Sequence, residues 1–485
     1  MQKQLLVVES PTKARTIGKY LGKDFDVIAT VGHLRDLPSN KMGVDMKNGF
    51  EVDYVVDPEK KKVVAELIKS AKTADKILLA TDPDREGEAI SWHVKWLLNN
   101  DKSKISNEKI SRVTFHEITP EAIKEALKNA RQIDMDLVNA QQGRRVLDRV
   151  VGYSLSPLLW KKVRRGLSAG RVQSVAVRLI VEREKEIAAF KKEQFYKISA
   201  ALKKDGSEFL SELTKVDGKP VYKSEKIKLF DGDYSYSKSI FKSEDEVKEF
   251  ISKLGKEFKV ENISEREIHR TPLPAFTTSK LQQAAARRFG WSGKQTMSVA
   301  QKLYEKGLIT YHRTDSVYLA DKAIAEFRNF ITEKMGNEYV SVKVRVYKNT
   351  SKNAQEAHEA IRPTNVSVQT LDDKDAREKK LYEMIWKRAV ATQAAAARMK
   401  NTTIVLSNNN GLFVSKGMRM LFDGFLRITG DKFEDQLVPE LKEGEVITGG
   451  KLKYEAAETN PPPRYTDASL VASLEKQGIG RPSTY

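Results

Sequence analysis

Ile77-Leu78-Leu79-Ala80-Thr81-Asp82-Pro83-Asp84-Arg85-Glu86-Gly87-Glu88 reads as a short apolar strand that runs into a turn carrying alternate carboxylates. Acids at spacing two in an extended turn can point to the same side. The carboxyl ends of parallel strands are where open α/β sheets place their sites. Carboxylates converging without cysteine or histidine suit Mg²⁺, which prefers oxygen ligands and keeps several waters. The plainer reading is a helix N-terminus decorated with acids for its dipole. Glu86 and Glu88 fit it; Asp82 and Asp84, inside the turn, fit it less well.

The flanking sequence supplies the rest of such a sheet. Leu5-Leu6-Val7-Val8 is a second apolar run, ending at Glu9 and followed by Ser10-Pro11, an N-cap and a first helical residue. The helix through Thr16 and Tyr20 is expected to stop near Gly22. Phe25 to Val31 and Val113-Thr114-Phe115 read as further strands. Val63–Ala71, Glu86–Leu98 and the stretch opened by Thr119-Pro120-Glu121 read as helices. Strands separated by helices predict a parallel sheet covered on both faces. Glu9 joins the acids if the first strand neighbours the third.

The remainder is less uniform. Asp134 to Phe190 is helical and very basic. Phe195 to Val260 alternates as short strands, helical spacing returns over Thr278–Gly307 and Ala376–Met399, and strands return from Thr402 to about Tyr454. A β-rich domain entered twice, with a helical insertion, explains this order. The boundaries read as 1–130 for the α/β domain, 131–192 and 461–485 for a basic helical domain, 193–268 and 399–460 for the β-rich part, and 269–398 for the inserted helices.

Composition narrows the class. The chain has 485 residues, enough for two to four domains at ~100–200 residues each. With 40% hydrophobic and 31% charged residues it is a globular composition, not a disordered one. There is no cysteine, which excludes disulfides, cysteine-ligated zinc and a thiol nucleophile. No apolar run reaches the ~20 residues of a membrane helix, and none fits a signal peptide. The expected location is therefore the cytoplasm. The formal net charge of +19 favours a polyanion as partner.

Basic residues with interleaved aromatics refine that partner. Arg144, Arg145 and Arg149 lead to Tyr153 and Trp160, and Arg145 and Arg149 share a helix face. Asp148 can pair with Arg144 at spacing four. Arginines would track phosphates while Tyr153 and Trp160 stack on unpaired bases, which points to single-stranded DNA. The alternative is an amphipathic helix with Trp160 in the core. Ser168-Ala169-Gly170-Arg171 offers a small-residue helix start, a natural anion site or a tight packing turn.

Gly307-Leu308-Ile309-Thr310-Tyr311-His312-Arg313-Thr314-Asp315-Ser316 completes the picture. Cutting a strand without losing bond energy requires a covalent enzyme intermediate. A tyrosine phenol can form it, with Arg313 two residues on to stabilise the phosphate if the segment is extended; the alternative is a strand tyrosine packed in a core beside a surface Arg–Asp pair. On an extended strand His312 would point away from Tyr311.

These strings resemble a known family. A strand ending in Glu, with a later strand followed by Asp-x-Asp-x-Glu, is similar to the Toprim domain. The segment around Tyr311 resembles the active-site segment of type IA DNA topoisomerases, most closely the bacterial topoisomerase I type. Val8–Ala14, Gly32-His33, Asp36-Leu37-Pro38, Ser168–Ser174, Phe276–Ser279, Glu356–Pro363 and Gly478–Tyr485 also match, in order and across the chain.

The resemblance implies a toroidal core: a Toprim α/β domain, helical domains and a β-rich arch. It implies that Tyr311 attacks a phosphodiester and keeps the 5′ phosphate while the 3′ hydroxyl leaves. Glu9 would protonate that oxygen, and Lys13 and Arg313 would stabilise the phosphate. Mg²⁺ would sit among Glu9, Asp82, Asp84 and Glu86. The DNA contacts would be His33, Arg144, Arg145, Asp148, Arg149, Tyr153, Trp160, Ser168, Ala169, Gly170, Arg171, Val172, Gln173, Arg313, His358, Arg362 and Arg481. The expected protein is an ATP-independent, nucleoid-associated monomer that relaxes negatively supercoiled DNA. A Toprim nuclease or a non-catalytic single-strand binding protein are the rival readings. The chain stops within an apparent helix start and has no zinc ribbon, so it is expected to be a C-terminally truncated form.

Overall fold

The computed structural model describes residues 3–101, 105–349, 359–372, 375–482 and 484. His358 lies outside them, as does most of the Glu356–Glu359 stretch.

The first strand, Gln4–Val8, is central in a four-stranded parallel sheet, flanked by Phe25–Ala29 and Lys76–Leu79, with Ile110–Arg112 on the far side of the latter. The helices Pro11–Leu21, Lys61–Thr73, Arg85–Asn99 and Pro120–Lys128 surround it, capped by Ser10, Asp84 and Thr119 at the first, third and fourth. The fourth strand ends before the predicted Val113–Phe115. Val113 still donates to the Leu79 carbonyl, but Phe115 turns into the core.

Alternation along the central strand sends its side chains into two cores. Leu5 and Val7 pack with Leu67, Val94 and Leu98. Leu6 and Val8 pack with Ile17, Ile118 and Ile123, and this second core runs without a break into the helical body that carries Tyr311, through Leu281, Leu303 and Tyr304. The sheet and the tyrosine therefore share one apolar interior.

That body contains Thr278–Phe289, Gly293–Glu305, Asp321–Met335 and Ala376–Ala391. The third is absent from the expected elements, although Ile324, Phe327 and Ile331 repeat at helical spacing and are buried. The last ends eight residues before Met399, because Ala397 already begins a strand.

The β-rich part is one antiparallel sheet built from both passes of the chain. Its order is Val446–Thr448, Glu257–Arg270, Ala397–Asn408, Gly411–Phe422, Ser207–Val216, Gln194–Lys204 and Lys451–Glu458. Asp205 and Gly206, both at positive φ, form the tight turn of one hairpin. The basic segment forms two helices, Met135–Lys162 and Arg171–Ala189.

One buried ion cluster fixes the acidic turn to the sheet. The Arg112 guanidinium is fully buried and donates to the carbonyls of Leu79, Thr81, Asp82 and Val113. Its Nε donates to Glu88 at 2.9 Å, and Glu88 also accepts from Arg131 and from the Asp134 amide. Glu88 is thus a structural carboxylate, not a surface acid. Removing one partner of a buried pair leaves the other charge uncompensated. Glu88→Gln is expected to lower stability by about 3 kcal/mol in urea unfolding; a loss below about 1 kcal/mol would show that the cluster is not holding the turn.

Candidate nucleic-acid site and active centre

The two sequence motifs meet. Tyr311 Oη donates to Asp84 Oδ2 at 2.7 Å, across 227 residues of chain. Arg313 Nη1 lies 3.6 Å from the same oxygen. Tyr311 is buried, with its ring edge-on to Tyr304 and His312.

The segment is not a strand, which corrects the expected geometry. Its amides are taken by different neighbours: Leu308 N–H by the Leu303 carbonyl, Thr310 N–H by Arg362 and Tyr311 N–H by His116. Thr278 hydroxyl donates to the His312 carbonyl and accepts from the Thr314 amide, so the Phe276–Ser279 motif clamps the loop after the tyrosine. The His312 ring stays against the tyrosine ring instead of alternating away, and burial lowers it to about 3, so it is neutral.

The acids differ in environment. Asp82 forms a buried ion pair with Lys13, whose ammonium also lies 4.0 Å from Glu9. Burial opposes both charges, yet the pair prevails: Asp82 is held below its ordinary value and Lys13 above it. Glu9 accepts from the Asp82 amide at 2.9 Å. Burial first, then the charge of Asp82, push Glu9 up to about 8, with Lys13 opposing. Asp84 caps the helix Arg85–Asn99 through the Gly87 amide, and a side chain on Gly87 would strike the Asp82 carbonyl. Glu86 faces outward; a hydrogen bond from His33 holds it at about 2.

The tyrosine is a poor nucleophile in this state. Burial, then Asp84 and Asp82, push its phenol well above the ordinary value, and Arg313 opposes them only partly. A positive charge brought among the acids would lower both the phenol and Glu9. Among the described residues no His, Asp or Glu cluster is arranged as a ready-made ion site. The donor set nevertheless fits a hard cation, since it is all carboxylate and carries like charges that repel one another at Glu9.

Next to these groups is a cavity of about 530 Å³ lined by Glu9, His33, Glu86, Arg144, Arg145 and Arg313, among others. Arg145 forks onto Asp36, with Nε at 2.9 Å. Asp148 pairs mainly with Arg171, at 2.6 and 3.1 Å, while Arg144 stands 3.9 Å away. The expected Arg144–Asp148 partnership is therefore secondary. Arg149 lies over the Tyr153 ring at 4.7 Å, and Tyr153 hydroxyl donates to the Ser39 carbonyl. Trp160 is 47% exposed, which removes the core alternative; its Nε1 donates to Leu167.

Ser168, Ala169 and Gly170 lead into the helix Arg171–Ala189, with Gly170 as a cap that offers no side chain and Gln173 exposed on the first turn. Arg85, Arg144, Arg171, Val172 and Arg481 line a second cavity of about 310 Å³. Burial and then the charges of Arg171 and Arg85 hold Arg144 below its ordinary value. An anion would relieve that repulsion. Sequence reasoning misses Arg85 because it sits inside an acidic motif. Arg362, expected at DNA, is instead buried and bound by Glu359 and Glu117.

A Toprim-type sheet thus presents acids to a tyrosine from a separate helical body, beside arginine-lined cavities whose charge suits a polyanion. Residues 132–485 match the DNA topoisomerase family model and residues 4–118 the Toprim domain, and the chain belongs to the DNA topoisomerase family, with the type IA core. It is 45% identical to DNA topoisomerase 1 of Rickettsia felis over 99% of this chain and 63% of that protein. It is 44% identical to that of Xylella fastidiosa over all of this chain and 61% of that protein. The chain thus spans a little over three fifths of the length of these relatives. The structure of full-length topoisomerase I from Thermotoga maritima superposes with a TM-score of 0.82 at 39% identity, covering 99% of this chain and 76% of that one. Membership implies use of a divalent metal. No described helix is long and apolar enough to cross a membrane.

The second cavity yields a direct test. Removing one phosphate-binding cation lowers the log–log salt dependence of single-strand binding by about 0.7. Replacing Arg85, Arg144 and Arg171 together by Ala should therefore flatten that slope by about 2; an unchanged slope would make the cavity structural.

Proposed function

We propose that this protein cuts and rejoins one DNA strand through a tyrosyl intermediate, as an ATP-independent topoisomerase. The observation that carries this reading is the Tyr311–Asp84 hydrogen bond. Neither a Toprim nuclease nor a simple single-strand binder needs a tyrosine held on its acids.

Tyr311 Oη attacks phosphorus, the bond from phosphorus to O3′ breaks, and the 5′ phosphate stays on the tyrosine. Asp84 is placed to take the phenol proton. Glu9, which carries a proton at neutral pH because of its raised value, is placed to give that proton to O3′. Religation runs the same path backwards. Lys13 and Arg313 stabilise the phosphate charge. Glu9, Asp82, Asp84 and Glu86 would hold Mg²⁺, which supplies positive charge for aligning the DNA ends in religation. DNA enters as a single-stranded segment along Arg144, Arg145, Arg149, Tyr153, Trp160, Arg171 and Arg481, beside His33. The protein acts as a monomer in the cytoplasm, on the nucleoid.

No Gly-x-x-x-x-Gly-Lys-Ser/Thr string occurs in the sequence; Ser292-Gly293-Lys294-Gln295 is the nearest. The drive must then be torsional strain already in the DNA, and a protein that grips single strands needs local melting. The complete enzyme is expected to relax negatively supercoiled DNA in steps of one turn without ATP, and to leave fully paired, positively supercoiled DNA unchanged. Topoisomer gels check this; equal relaxation of both signs, or a strict need for ATP, would contradict it. Replacing Asp82 and Asp84 together by Asn should weaken Mg²⁺-dependent religation more than DNA binding, read by metal titration of resealing. An unchanged titration would put the ligands elsewhere.

A further inference from the structure

Besides the bonds of Tyr311 and Arg313 to Asp84, a second ionic junction ties the tyrosine segment to the edge of the parallel sheet. Arg362 Nη2 lies 2.9 Å from Glu117 Oε2, and the same guanidinium forks onto Glu359. Its third nitrogen donates to the Pro363 carbonyl. Glu117 follows His116, whose carbonyl accepts the Tyr311 amide at 2.8 Å. Glu117 is itself tied to the Thr119 hydroxyl, the cap of the next helix.

The backbone of Arg362 completes the loop. Its carbonyl accepts from Thr310 N–H at 2.9 Å, and its amide donates to the Thr310 hydroxyl, which in turn donates to Ala360. Arg362 therefore touches the residue before the tyrosine with its main chain and the residue after His116 with its side chain. Close approach is built in at Gly307, where φ is +74° and a side chain would strike the Ile118 carbonyl at 2.5 Å.

We infer that Glu117 and Arg362 are positioning residues: their ion pair, buried on the arginine side, is the latch that fixes the Tyr311 segment on the sheet edge, over the acids. The consequence for cleavage rests on the reading of Tyr311 as the nucleophile. The latch itself does not. The fork onto Glu359 fixes the Arg362 guanidinium, and its single charged hydrogen bond to the half-buried Glu117 crosses to the sheet edge, which makes the junction directional. It can thus set the tyrosine in register when closed and release the helical body when water or another partner takes one of the carboxylates.

Two measurements on the full chain separate latch from chemistry. In hydrogen exchange, Glu117→Gln is expected to speed exchange of the peptide spanning 308–313 about tenfold or more, while the strands of the large antiparallel sheet keep their rates. In cleavage of a labelled single-stranded oligonucleotide, the same variant should form about tenfold less covalent adduct. Its affinity for that oligonucleotide should stay within about twofold, because Glu117 lies away from the basic cavities. Arg362→Lys keeps the charge without the fork and should recover part of the adduct yield that Arg362→Ala forfeits.

Unchanged exchange at 308–313 in Glu117→Gln overturns the latch. So does a result in which Arg362→Ala weakens DNA binding and flattens its salt dependence while Glu117→Gln is silent, since Arg362 would then be a phosphate contact. If the unmodified protein forms no adduct, the nucleophile reading fails and the exchange experiment still decides the latch.

Discussion

The hydrogen bond from the Tyr311 phenol to Asp84 is the contact on which the rest of the arrangement depends. It joins two bodies that share an apolar core running from Leu6 and Val8 to Leu303 and Tyr304. Burial on that scale keeps the tyrosine away from water and from any strand. It also raises the phenol's affinity for its proton. The phenol is thus enclosed in this structure. In the proposed reaction a DNA strand would reach it through the cavities beside it or by a parting of the two bodies.

Electrostatics divides the charged groups into those buried in pairs and those that face a cavity. Lys13 with Asp82 and Arg112 with Glu88 are buried pairs, the buried Arg362 binds the half-buried Glu117 and Glu359, and all of them shape the site. Arg85, Arg144, Arg171 and Arg481 instead converge on one cavity, where the charges of Arg85 and Arg171 bear on Arg144. That second group concentrates part of the overall charge of +19 in one cavity, where it suits a polyanion. Glu9 lies between the two regimes: it is half-buried at a cavity wall, close to a cation, and still holds its proton near neutrality.

Much of this is legible in the residues. Apolar runs ending in Glu9 and in Asp82–Glu86 reveal the sheet, because strand ends in such sheets carry chemistry and local patterns report strands well. The pairing of the β-rich sheet from two distant passes is also foreseeable from its alternation. What escapes is long-range. Arg112 follows an unremarkable Ser111, and only the fold shows that it binds four carbonyls of the acidic turn and its surroundings. Glu117 and Arg362 are 245 residues apart, so no spacing rule could join them. The tyrosine segment is open to an extended reading, in which His312 alternates away from Tyr311, whereas its amides bond to several separate segments. Helical spacing matches Asp148 to the arginine one turn away, though Arg171 of the next helix offers the better fork.

The central claim is that Tyr311, and no other of the 16 tyrosines, becomes bonded to DNA. The most direct measurement is to trap the protein on a single-stranded oligonucleotide by denaturation, digest both components, and locate the nucleotide-bearing peptide by mass spectrometry. The account predicts a phosphotyrosyl nucleotide linked through its 5′ phosphate on the peptide containing Ile309 to Arg313, and no adduct from Tyr311→Phe. A linkage on any other residue, or one through a 3′ phosphate, would contradict it.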